Sequence, residues 1–444
     1  MKRAPPRRNK EGVHHPLPFL AQPANLCHGK SAPMPTPDPK QRTFRNELWR
    51  SLPAGVLDTL TSTFGMLIAV RVFHLGDMAK SIFLSATSSG FMVSLFVVPL
   101  LLHARSTIAR TAAKVQMLGG LFMALAATFP HEPWVFIGGL SVGLFCFSMQ
   151  IPLLTQIYRL NYPATERGRL FAIAGSLRAV AAVAFGFFGG WLIGLDLENY
   201  RALLWAFAAS GFLSGLWTYG LPATRWDIDE DAPSGLWSSL RWIKIDRDFR
   251  TLLISWMMMG IGNLVAACLF VEYLANPRHG INLPGRDVAW ITGVIPVIFR
   301  ALCSYPWGLI YDKVGLFTVR TILNLIFAAG ILTFYLGHGV IAWSVGMALW
   351  GIANAGGNVT WGLWVTKLAP KQAVAEYMSV HTFLTGLRGL VAPYLAFAAI
   401  GVISFQTLSI LCGIAIIAAS AFITVRARGS DDETRRRLGP RERL

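Results

Sequence analysis

Charge is scarce in this chain. Only 14% of its 444 residues are Asp, Glu, Lys or Arg, and acidic residues are the rarer kind, 23 against 40 basic. Soluble domains carry about a quarter charged residues, so an ordinary water-soluble fold is excluded. Cysteine is scarce too. Cys27, Cys146, Cys268, Cys303 and Cys412 have no metal-ligand spacing, and they are expected to act as small buried hydrophobes. The chain also lacks a His/Asp/Glu cluster with metal spacing, a phosphate-binding glycine loop and a paired-carboxylate motif. No metal, cofactor or catalytic residue is therefore assigned, and an enzyme is not expected. The first 40 residues contain no continuous apolar run, so a cleaved signal peptide is not expected and the first membrane helix serves as the insertion signal.

What remains is oil. Hydrophobic residues make up 54% of the chain, and a bilayer core needs about 20 apolar residues per helix at roughly 1.5 Å of rise each. Runs of that kind fall near 52–73, 81–102, 115–130, 134–157, 170–195, 202–221, 251–274, 288–311, 319–337, 340–366, 379–402 and 404–425. Twelve spans put both termini on one side. Lys and Arg concentrate in the even-numbered loops and the tails, whereas the opposite loops carry only Arg71, Lys80, Arg201, Arg278 and Arg286. By the positive-inside rule both termini are expected in the cytoplasm of a cell membrane. The net charge of +17 thus reads as topology, and a nucleic-acid partner is not expected.

The two halves repeat at a spacing near 205–210 residues. Glu166 precedes Arg178 by twelve residues and Glu376 precedes Arg388 by twelve, each pair beginning the fifth helix of its half. FRNELWRSLPAG from Phe44 matches FRTLLISWMMMG from Phe249, which places Asp58 opposite Asn263. A parallel duplication of six helices divides the chain into a disordered basic tail (1–45), a first bundle (46–221), a linker (222–250), a second bundle (251–425) and a basic tail (426–444). Between helices 8 and 9 stands GLIYDKVG, Gly308 to Gly315. This arrangement resembles the major facilitator superfamily, and the motif resembles that superfamily's Gly-x-x-x-Asp-Arg/Lys-x-Gly loop. The resemblance implies an all-α integral membrane protein of two pseudo-symmetric six-helix bundles. It also implies a cytoplasmic gate at Gly308, Asp312, Lys313 and Gly315, with the glycines allowing a tight turn. The matching first-half loop, LLHARSTIARTAAK, has no acidic residue, and helix 4 carries Gln150 and Gln156 where many proton-driven drug exporters of the superfamily have Arg.

Ionisable side chains at membrane depth cost about 2.5 to 3.5 kcal/mol each on insertion scales, so their positions carry functional information. Arg388 lies about 18 Å along its helix from Glu376, and Arg178 about 14 Å from Arg169. Arg300 sits midway between Asp287 and Asp312, and Asp58 lies about 20 Å below Arg71. The resemblance implies that helices 5, 8 and 11, which carry the three arginines, line a central cavity. Three deep arginines against one deep carboxylate point to an anionic solute, because guanidinium binds carboxylate or phosphate in bidentate fashion. Each arginine could instead pair with Asp58 or bond to carbonyls, and Asp58 could equally pair or couple to an ion.

Helix 10 contains GIANAGGNVTWGLWV, in which Asn354, Asn358 and Trp361 surround two glycines that could open the backbone or pack closely. His381 is expected to bond a neighbouring group rather than titrate. Leu236, Leu240 and Ile243 of the linker suit either an interfacial helix or one packed on the bundle. The expected function is secondary active transport of a small-molecule organic anion (a sugar acid, carboxylate or phosphorylated compound) by a monomer in the lipid bilayer, with H+ or Na+ as the coupling ion. The binding or coupling candidates are Asp58, Arg178, Asn263, Arg300, Asn354, Asn358, Trp361 and Arg388. The alternatives are transport of neutral sugars or amphipathic drugs, and a non-transporting membrane sensor.

Overall fold

The structure, a computed structural model, describes residues 38–103, 107–163, 165–222, 239–369 and 374–437. Every regular element among them is helical. The membrane helices are α1 (Pro39–Arg71), α2 (Asp77–His103), α3 (Ile108–Thr128), α4 (Pro133–Asn161), α5 (Arg167–Leu195), α6 (Tyr200–Tyr219), α7 (Arg247–Ala275), α8 (Gly285–Lys313), α9 (Leu316–Leu336), α10 (Gly339–Leu368), α11 (Val374–Ile400) and α12 (Phe405–Arg437). Eleven helices among the described residues are long and apolar enough to cross a membrane. The remaining expected span falls on α2, which runs for 27 residues.

Local chemistry sets several of the ends. Thr107 caps α3 by accepting from Arg110 N, and Asp246 caps α7 by accepting from Phe249 N at 2.9 Å, each satisfying a backbone donor that the helix leaves open. α1 starts earlier than the sequence suggests. Asp38 accepts from Lys40 N, and Pro39 sits in the first turn, where its missing N–H costs nothing. Residues 39–45 are therefore helical rather than part of a disordered tail, and side-chain bonds hold them: Arg42 Nε donates to Gly220 O at 3.1 Å and Asn161 Nδ2 to Thr43 Oγ1 at 2.9 Å. The rest of that expected tail, residues 1–37, lies outside the described residues.

Packing repeats with an offset of six helices. In the first half α1 packs on α5 and α6, α3 on α4 and α6, and α2 on α4; in the second, α7 packs on α11 and α12, α9 on α10 and α12, and α8 on α10. Between the halves, α2 meets α11 and α5 meets α8, again a symmetric pair. Two pseudo-symmetric six-helix bundles thus enclose one interface.

The halves close tightly at the end that carries Arg71, Lys80 and Arg286. Arg71 donates Nε to Ala275 O and Nη2 to Leu283 O, both at 2.5 Å. A Cβ on Gly190 of α5 would lie 2.9 Å from Ala289 Cβ of α8, and one on Gly285 would lie 2.7 Å from Ile193 Cγ2, so only glycine permits this approach. α1 and α8 each contain one π-helical turn, Leu60–Phe64 and Trp290–Val294. These turns meet, with Thr63 Oγ1 at 3.3 Å from Thr292 Oγ1.

At the opposite end the helices part. Asp312 and Lys313 are exposed, and Asp312 forms no ion pair among the described residues. The tight turn falls at Val314 and Gly315, which alone separate α8 from α9, but it does not use glycine's left-handed freedom. Gly308 lies within α8, Gly315 has φ −61°, and neither takes a left-handed conformation. In α10 the two glycines do not open the helix, which is continuous from Gly339 to Leu368. Gly356 instead admits Trp307 of α8, whose ring would stand 2.6 Å from an added Cβ.

The linker helix, Arg241–Ile245, packs on the second bundle. Trp242 lies tilted against Tyr377 with centroids 5.2 Å apart and donates Nε1 to Glu376, while Leu240 and Ile243 rest on the same apolar cluster. Leu236 lies outside the described residues.

Candidate substrate cavity

Between the halves lies a cavity of about 430 Å³ that is lined mainly by apolar side chains, among them Phe91, Phe147, Phe270 and Trp350. Three charged residues interrupt the lining, namely Asp58 from α1, Arg178 from α5 and Arg300 from α8. A second space of about 380 Å³ shares all three and continues past Phe171, Ser304 and Asn358 toward the parted end. The central charges are thus sealed from one end and reachable from the other.

Asp58 and Arg178 form a bidentate pair. Nε donates to Oδ2 at 2.7 Å and Nη2 to Oδ1 at 2.5 Å, with about a third of each side chain exposed. The fork geometry matches guanidinium to carboxylate and fixes both side chains. Phe147 lies 5.5 Å from Arg178 Cζ and adds a cation–π contact. Gly55 lets α5 come close enough for the pair to form, because a Cβ there would collide with Arg178 O.

Arg300 is different. It lies within electrostatic range of both Asp58 and Arg178, but its guanidinium makes no ion pair among the described residues. Two guanidinium groups against one carboxylate leave the cavity with a net charge of +1. Polar walls come from Thr61, Ser62, Thr292 and Asn354.

Other expected residues fall elsewhere. Asn263 accepts from Trp350 Nε1 at 3.0 Å, so it orients the cavity's indole from behind instead of lining the space. Asn358 lines the second space. Trp361 lines neither and sits 6.2 Å from the ring of His381. Arg388 turns away from the cavity and donates Nη1 to Trp256 O of α7 at 2.5 Å, taking the room left by Gly260. The repeat-related arginines have therefore diverged: Arg178 faces the cavity with a carboxylate, and Arg388 faces the interior of its own bundle with a carbonyl.

Sequence reasoning missed Trp350, Cys268 and the Lys80–Glu272 pair. Cys268 packs against the apolar core as expected and also lines the cavity. Lys80 stands among the opposite-loop charges in the sequence, yet it and Glu272 each have side chains only 1% exposed, and they meet at 2.9 Å across the two halves. Tryptophans at mid-helix are ordinary in such a sequence, and a pair separated by 192 residues leaves no local signal.

Solved structures share this architecture. A mutant of the nucleoside transporter NupG matches over 86% of this chain and 99% of its own, with 14% identity and a TM-score of 0.70. A D-xylose-proton symporter matches over 86% and 96% at 14% identity and a TM-score of 0.65. A POT family transporter in complex with 5-aminolevulinic acid matches over 87% and 95% at 14% identity and a TM-score of 0.64. The chain has a membrane-transporter fold. The major facilitator resemblance read from the sequence is met at the level of architecture, on a multi-pass membrane protein. No protein-family model matches the sequence, and no curated protein matches it.

Proposed function

We propose that the protein is a secondary active transporter that carries a small organic anion by alternating access. The observation behind this reading is Arg300, a guanidinium without an ion-pair partner among the described residues, in a cavity whose other two charges already satisfy one another. A carboxylate or phosphate would supply the missing counter-charge through two parallel hydrogen bonds. Trp350, held by Asn263, offers a flat face for a ring or chain beside that charge, which suits a sugar acid or a phosphorylated compound of similar size. The POT family neighbour was solved with 5-aminolevulinic acid, a solute that carries a carboxylate.

Asp58 is the cavity carboxylate available to a coupling H+ or Na+, and such coupling requires its release from Arg178. With both termini cytoplasmic, as the basic loops imply, the parted end faces the cytoplasm and the sealed end faces outward. Asp312 and Lys313 then belong to a gate that engages when the cytoplasmic ends close.

The test has two stages. Thermal-shift screening of purified protein across organic acids, sugar phosphates, neutral sugars and amphipathic drugs identifies ligands, and counterflow in proteoliposomes then establishes movement. Organic anions should stabilise the protein, and Arg300→Gln should abolish the shift. Stabilisation by neutral sugars alone, unchanged in Arg300→Gln, would sink the anion reading. Binding without flux in correctly oriented vesicles would instead make the protein a sensor.

A further inference from the structure

The second bundle contains a buried basic cluster separate from the cavity. Arg320 and Asn324 of α9 are 2% and 0% exposed, and His381 of α11 is 2% exposed. Arg320 and His381 converge with Arg388 on Trp256. Arg320 Cζ stands 4.4 Å from that ring, the His381 ring lies tilted with its centroid 4.3 Å away, and Arg388 bonds the same residue's carbonyl. Trp364, fully buried, closes another side at 5.1 Å from His381.

Polar atoms here go unused in number. Arg320 Nε and Nη2, both amide atoms of Asn324, His381 Nε2, Arg388 Nε and Trp364 Nε1 have no hydrogen-bond partner within the chain. Nearly all are donors. Arg320, Arg388 and His381 are close enough to repel one another, and no carboxylate among the described residues pairs with either arginine. The first bundle resolves the same problem with Asp58 beside Arg178, whereas the second has neutral Asn263 at the matching position. Buried cations without a counter-charge and buried donors without acceptors are both costly. The cation–π contact of Arg320 with Trp256 offsets only a part of that cost.

We propose that the second bundle holds a resident small inorganic anion of chloride size, bound by the unused donors of Arg320, Asn324, His381 and Arg388. Arg320, Asn324 and His381 are each 2% exposed or less, an enclosure that favours a monatomic halide over a polyatomic oxyanion. None of these residues lines the cavity, so this site stands or falls independently of the transported solute. Its ion serves as the fixed counter-charge that the second bundle lacks in sequence.

Full-length protein, exchanged into gluconate at constant ionic strength, would be titrated with chloride and with bromide while thermal unfolding is followed. A saturable rise in Tm with either halide is expected. Arg320→Gln should remove the dependence, and Asn324→Leu should raise the midpoint concentration roughly tenfold, the loss of one hydrogen bond to a charged group. Should Arg320→Gln fail to fold, bromide-grown crystals of the unaltered protein decide the matter through an anomalous peak between Arg320 and His381. Equal Tm in chloride and gluconate, or no anomalous peak there, would overturn the proposal.

Discussion

Lys80 of α2 donates to Glu272 of α7 at 2.9 Å, with both side chains 1% exposed, so one ion pair ties the two bundles together at their sealed end. Asn276 Nδ2 reaches the same Glu272 oxygen at 2.6 Å, and His279 Nε2 lies 3.2 Å from it. Asp77 meets Lys80 from the other side at 2.9 Å.

Removing one member leaves a buried charge without its partner, which costs about 3 to 5 kcal/mol. Lys80→Met alone should lower unfolding stability by that order, and Lys80→Met with Glu272→Gln should recover most of the loss. Detergent-based unfolding of the four proteins in the cycle measures the coupling. Strictly additive effects would show that the pair does not bind the bundles.

Arg300 and Arg388 should separate in ligand titrations. Arg300→Gln removes charged hydrogen bonds worth about 1.5 to 3 kcal/mol, a loss of roughly ten- to hundredfold in anion affinity. Arg388→Gln acts away from the cavity and should change that affinity by less than about threefold, a difference below 1 kcal/mol. Calorimetry with the best anion from the screen is the measurement, and equal losses in both variants would return Arg388 to the solute.

Asp58→Asn raises the cavity charge from +1 to +2 and frees Arg178. Anion binding should be retained or tightened, while coupled flux in proteoliposomes falls by about tenfold or more, a barrier increase near 1.4 kcal/mol. If flux along an imposed ion gradient is unchanged, Asp58 is a structural partner of Arg178 and not the coupling group.

Gly190→Val places a side chain where α5 meets Ala289 of α8, so the sealed end should be held apart. Cys268 lines the cavity and can report this in a chain where Cys27, Cys146, Cys303 and Cys412 are replaced by Ala. A membrane-impermeant thiol reagent applied from outside should label Cys268 at least tenfold faster in Gly190→Val than in its parent, which corresponds to about 1.4 kcal/mol in favour of the open state. Labelling that stays equally slow would mean that closure does not depend on this contact.

The spans and the duplication could be read from the chain, because apolar run length marks where a helix can cross and helical rise fixes the spacing of residues along it. Direction around a helix axis was not legible in the same way. Arg178 and Arg388 have equal depths and equal distances from their glutamates, yet a glycine at position 260 and an Asn at 263 turn one of them inward. Arg320 gave no signal for a related reason. It stands one turn into its helix, and only the packing of Trp256 against it shows that it is drawn to 2% exposure. Pairings such as Lys80 with Glu272 depend on which helices meet, and no local pattern carries that information.

The touching π-helical turns of α1 and α8 bear on how the chain could be surveyed experimentally. One such turn inserts a residue into the helical register, which rotates everything beyond it by roughly 100° relative to everything before, given 3.6 residues per turn. A scan of side-chain reactivity along α1 should therefore show two stripes of accessible positions, out of phase with each other across Leu60–Phe64. α8 should show the same jump across Trp290–Val294. A single unbroken period fitted to either helix would misplace the segment on one side of the turn, Gly65–Arg71 in α1 and Gly285–Ala289 in α8, by that angle.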